Sequence, residues 1–203
     1  RPGDVLGWLN SDDLFHPGAL ARIGARMARR RRTVLLGTAS IPAGADQPVD
    51  RIDARAPSWP AMAYDGRTVP QPATLWTADL WQLAGPLDPT LRFSMDYDLW
   101  LRMMPLADIV RDDGAPLAVE RPHENQVFRQ AQRRGVAQPF KREKAYAAVR
   151  AARRRGEPLP LWFLRSYGRR LRVALRRRRP GLALYSQWHR LTLRAALATD
   201  GRA

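Results

Sequence analysis

Apolar residues along this chain fall either in short unbroken runs or at helical spacings, the mark of mixed strands and helices. Val5, Leu6, Trp8 and Leu9 predict a short buried strand, which ends in Asn10-Ser11-Asp12-Asp13. Residues 17–27 predict a helix with Leu20, Ile23 and Met27 on one face, Pro17 suiting its first turn. Residues 33–38 read as a second buried strand. From 42 to 68 the periodicity fades into a long loop, with one strand near residues 49–52. A further helix carries Leu75, Trp76, Leu80, Trp81 and Leu83 and is stopped by Gly85-Pro86. Residues 93–103 predict a helix with Leu99 and Met103 along one apolar edge, Trp100 in the core, and Asp96 and Asp98 in the first turn. Two short strands, 107–111 and 117–120, flank Asp112-Asp113-Gly114, a hairpin signal. Three helices follow, over 139–155, 158–178 and 182–198. The fold class is α/β.

The chemistry concentrates where apolar runs stop. Asn10-Ser11-Asp12-Asp13 stands just past the carboxyl end of a strand, where open α/β sheets bind ligands. Adjacent carboxylates repel unless a positive group joins them, and a hard divalent cation with oxygen ligands is one solution. The other is a helix start, with Ser11 or Asp12 as the cap and acidic residues facing the dipole. Both remain open on these residues alone. Asp112 and Asp113 repeat the pair, but Gly114 after them favours a turn. His123, among polar residues at a strand's end, is a candidate metal ligand or acid-base group, or an ordinary surface histidine.

Composition removes several classes of protein. None of the 203 residues is cysteine, so disulfides, thiolate metal sites and a thiol nucleophile are excluded. No run of apolar residues is long enough to span a bilayer, and the amino end lacks a signal-like apolar region. The formal net charge of +16 is unevenly spread: residues 129–203 hold 21 basic against 3 acidic residues, and residues 1–128 hold 14 against 16. Such asymmetry predicts a working domain at 1–128 and an Arg-rich helical extension at 129–203 that meets an anionic surface. Arg29 to Arg32 is smaller in scale and closes the first helix at its negative end.

Three segments, in this order, resemble the carboxyl-terminal half of a family 2 glycosyltransferase with the GT-A fold. Residues 3–13, with Pro17-Gly18-Ala19-Leu20 after them, resemble the strand and acidic DxD motif; Asn10 stands where the family often has its first aspartate. Gln71-Pro72-Ala73-Thr74-Leu75-Trp76, Gly85-Pro86-Leu87-Asp88 and residues 96–102 resemble the acceptor-side segment with its catalytic acidic motif, commonly Glu-Asp, from which Met95 departs. Arg121-Pro122-His123-Glu124-Asn125 is similar to the family's Arg-x-His segment.

The resemblance implies metal-dependent inverting transfer of a sugar from a nucleotide-diphosphate donor to a glycan or lipid-linked sugar acceptor, in cell-surface glycan synthesis. It implies Mn²⁺ or Mg²⁺ held by Asp12 and Asp13, with His123 as a third ligand or diphosphate contact. Asn10 and Ser11 join them on the donor side. Asp96 is the implied base, with Asp98 second; the expected location is cytoplasmic, or peripheral at the inner face of the cell membrane. The family's nucleobase-binding first half would lie before Arg1. Its absence leaves a non-catalytic fragment as an alternative.

In residues 158–178, Phe163, Tyr167, Leu171 and Leu175 recur every fourth position among Arg165, Arg169, Arg170, Arg172 and Arg176 to Arg179. Three readings stand: a helix lying on an anionic membrane, a nucleic-acid contact, or a packed helix with a solvated basic face. No recognised nucleic-acid motif accompanies the arginines. A basic protein that binds a membrane or nucleic-acid surface is therefore the alternative function from another class.

Overall fold

The computed structural model describes residues 1, 3–42, 50–52, 58–121, 123, 124, 126, 130, 133 and 138–176. The helix predicted over 182–198 lies outside the described residues. Two compact units divide the chain.

The first unit comprises residues 1–56, 68–86 and 102–130. It holds β1 (Val5–Gly7), β2 (Leu14–Phe15), α1 (Ala19–Met27), β3 (Thr33–Leu36), β4 (Ala39–Ile41) and β5 (Asp50–Ile52). Further along the chain come β6 (Thr74–Thr77), α3 (Ala78–Ala84), β7 (Asp108–Arg111) and β8 (Ala118–Val119). One sheet has the order β1-β6-β3-β7, antiparallel except where β3 runs parallel to β7. The other has the order β2-β8-β4-β5, with β4 parallel to β8. The chain is thus mixed α/β.

Two stretches cross between the sheets side by side, β3 into β4 and β7 into β8. Gly37 makes the first crossing: a Cβ there would lie 2.2 Å from Leu117 Cδ1, in a core that buries Leu117 completely. The second crossing corrects the predicted hairpin. Strands β7 and β8 do not pair; Asp112 between them is buried and accepts Arg22 Nε at 2.7 Å, with Arg26 at 3.7 Å. A turn signal gives way here because the first aspartate of the pair is needed inside.

Other expectations change for similar reasons. Leu75 and Trp76, read as helical, lie in β6, which is buried throughout. The threonines at its ends satisfy buried polar groups: Thr77 Oγ1 accepts Thr33 N–H at 3.1 Å, and Thr74 Oγ1 donates to Pro70 O at 2.7 Å. Strand β1 stops at Gly7, only half-buried, and Leu9 beyond it is exposed. Strand β1 stands at one edge of the four described strands of its sheet.

The second unit comprises residues 57–67, 87–101 and 131–203. It contains α2 (Trp59–Asp65), the first seven residues of α4 (Met95–Met103), α5 (Gln138–Arg154) and α6 (Leu159–Arg176). Helix α2 falls in the stretch predicted as loop. It is one short turn-rich segment, buried from Ala61 to Tyr64, so no polar face betrays its period. The basic helices therefore share a compact unit with earlier chain, across the sequence boundary at 128/129. Alanines make this possible: Ala145, Ala147, Ala148, Ala151 and Ala152 are all buried on α5. Tyr64 packs edge-on against the buried Trp162 of α6, its hydroxyl reaches Glu157, and its carbonyl accepts Ser166 Oγ at 2.6 Å. Along the stripe from Phe163 to Leu175, Phe163, Tyr167 and Leu171 are half-buried and Leu175 is exposed. No described helix is long and apolar enough to cross a membrane.

Candidate functional site

In the first unit the chain turns sharply after β1. Asp13 N–H donates to Asn10 O at 3.1 Å, and this tight turn sends the two neighbouring carboxylates in different directions. Asp13 points inward, 4% exposed; its Oδ1 accepts Arg121 N–H at 3.1 Å and its Oδ2 accepts Asn10 Nδ2 at 3.2 Å. Burial pushes its carboxyl up, against the hydrogen bond from Arg121. Asp12 remains more open, and its Oδ2 lies 2.8 Å from His123 Nε2. That hydrogen bond holds the Asp12 carboxyl below its ordinary value.

The rim is built from distant chain. Asn10 Nδ2 donates to Gln71 Oε1 at 2.9 Å, and Gln71 Nε2 donates to the Trp8 carbonyl. Arg121 Nε donates to the Asp12 carbonyl, so one arginine braces both aspartates through backbone groups. Ser11 is exposed at the tip. Asn10, Asp12, Asp13 and His123 are thus brought together, with Gln71 and Arg121 supporting them.

Among the described residues no group of three or more His, Asp or Glu is arranged to hold a metal ion. The donors that do face outward are one carboxylate, Asp12, and one imidazole, His123. That set fits a divalent ion completed by water and phosphate oxygens, the usual habit of Mg²⁺, and does not fit a cage made by protein alone. Asp13 differs from Asp12 in having both oxygens already engaged.

The other two predicted carboxylates belong to the second unit, on the first turn of α4. Asp96 is half-buried and accepts Tyr97 N–H at 2.7 Å. Burial pushes its carboxyl up, while the charge of Lys144 pulls the other way. Lys144 sits with its Nζ 4.7 Å from the Tyr97 ring centre, and burial lowers it to about 8. Asp98 is fully buried, with Arg154 Nη1 3.4 Å from its Oδ1. Arg102, considered as a partner for either carboxylate, donates to the carbonyls of Gly85 and Pro86 at 3.0 Å each, capping the chain that leaves α3.

Sequence reasoning missed the residues of α5 that shape this turn. Glu143 accepts the backbone N–H groups of Arg92 at 3.1 Å, Phe93 at 2.6 Å and Ser94 at 3.0 Å, fixing the entry to α4. Nothing local in Lys141-Arg142-Glu143-Lys144 marks it, because its partners lie some fifty residues earlier.

Compared with known proteins, the chain matches no family model, no curated protein and no solved structure.

Proposed function

We propose that this protein transfers a sugar, with inversion, from a nucleotide-diphosphate donor to a hydroxyl acceptor, on a fold that corresponds to the carboxyl-terminal part of a GT-A domain. The observation that carries the reading is the 2.8 Å pairing of Asp12 with His123 just past the end of β1. It joins two of the three segments on which the glycosyltransferase resemblance rests, with Asn10 and Gln71 tied beside them.

Asp12 and His123 would hold Mn²⁺ or Mg²⁺, whose charge stabilises a leaving diphosphate when bound. Asp13 keeps the loop in shape by gripping Asn10 and the Arg121 backbone. Asp96 removes the proton from the acceptor hydroxyl. Its burial makes it the stronger base, and Lys144 favours the ionised form from which it must start. Asp98, buried against Arg154, steadies the same helical turn.

Transfer and nucleotide binding separate the roles. With Asp96→Asn, transfer to acceptor falls by at least about a hundredfold, while metal-dependent binding of a nucleoside diphosphate stays as in the parent. Near-normal transfer by that variant overturns the assignment.

A further inference from the structure

Helix α6 has one buried face and one exposed face. Trp162 and Ser166 are buried, and Arg169 turns inward to pair with Asp65 at 3.1 Å. On the opposite side Leu161, Leu164, Leu171 and Leu175 follow at spacings of three, seven and four, which keeps them on one face. Leu171 is half-buried, whereas Leu161, Leu164 and Leu175 are exposed by 37%, 68% and 56%. Beside this stripe lie the exposed Arg172 and Arg165, the latter paired with Glu157 at 2.8 Å. The helix contains five arginines and no acidic residue.

We infer that α6 is an interfacial anchor that lies along an anionic lipid surface, its outward leucines entering the acyl boundary and Arg172 beside them meeting phosphate headgroups. Charge decides among the occupants of the stripe. A second copy seated leucine to leucine would bring like charges together along the stripe, Arg172 having no acidic residue on its own helix to relieve it. A duplex would satisfy the arginines but leave the leucines in water, since phosphate contacts bury little apolar surface. Only a lipid surface of negative charge takes both, and it does not require α6 to cross it. The inference is independent of the sugar-transfer reading.

The test is co-sedimentation of the full chain with vesicles of phosphatidylcholine alone or mixed with phosphatidylglycerol. The parent binds the anionic vesicles, and added salt releases it. Leu164→Ser with Leu175→Ser weakens binding by at least about a hundredfold, with unchanged circular dichroism. Arg172→Gln weakens it about fivefold, which supplies a second reading should the serine pair perturb folding. Equal binding by the serine pair, or indifference of the parent to lipid charge, overturns the inference. So does a leucine-dependent dimer, or leucine-independent duplex binding, found without any vesicle binding.

Discussion

His123 Nε2 stands 2.8 Å from Asp12 Oδ2 although 111 residues separate them in the chain. The contact ties the loop after β1 to the segment after β8, and it distinguishes Asp12 from the adjacent Asp13. His123→Ala removes the main cause of the lowered Asp12 carboxyl. Carboxyl-carbon NMR titration should then show the Asp12 value rising toward the ordinary range. Mn²⁺ affinity in the presence of a nucleoside diphosphate should fall about tenfold or more. An unmoved Asp12 titration would mean that the imidazole does not act on it.

Gly37 is required by the crossing of β3 into β4. Gly37→Ala places a methyl group 2.2 Å from Leu117 Cδ1 in a closed core, and we expect a loss of about 2 kcal/mol in urea unfolding. Leu117→Ala is costly alone through its cavity, but the double variant should be more stable than the sum of the two losses predicts. Simple additivity would show that the two positions do not meet.

Acid should loosen the second unit through Asp88. Hydrogen bonds from Thr90 and then Arg150, which approaches to 2.5 Å, hold its carboxyl down from 3.8 to about 2. A folded value below the unfolded one adds stability that is complete above the unfolded value and lost as pH falls from about 4 to about 2. The amount is about 2 kcal/mol, the side chain being mostly covered. Asp88→Asn should flatten the stability profile over that interval, measured by urea unfolding at stepped pH.

Glu143 holds three backbone N–H groups at the mouth of α4. Glu143→Ala leaves donors there without their acceptor and should cost about 2 kcal/mol. Hydrogen exchange at residues 92–94 should quicken more than in the buried alanine face of α5. Uniform quickening would indicate a general loss of stability instead.

The periodic helices α1, α4, α5 and α6 are legible in the sequence because each combines a helical spacing with a polar face. Short apolar runs are not: Thr-Leu-Trp-Thr at 74–77 has too few residues to distinguish a strand from a helix, and pairing with β1 and β3 decides it. Asp112 reads as a turn residue because its value lies in contacts with Arg22, ninety positions earlier. The candidate site is legible where motif order groups Asp12 and His123. The contrast between Asp12 and Asp13 is hidden, because it depends on a backbone turn between neighbours of the same type. Glu143 and Lys144 are hidden as well, since only the packing of α5 against residues 87–101 brings them to the turn that carries Asp96.

The decisive measurement is nucleoside diphosphate release from a panel of nucleotide sugars by the full chain, with Mn²⁺ or with chelator, beside Asp12→Asn. We predict release from at least one donor that needs the divalent ion and disappears in the variant. Release that persists in chelator, or that Asp12→Asn leaves undiminished, would contradict that prediction.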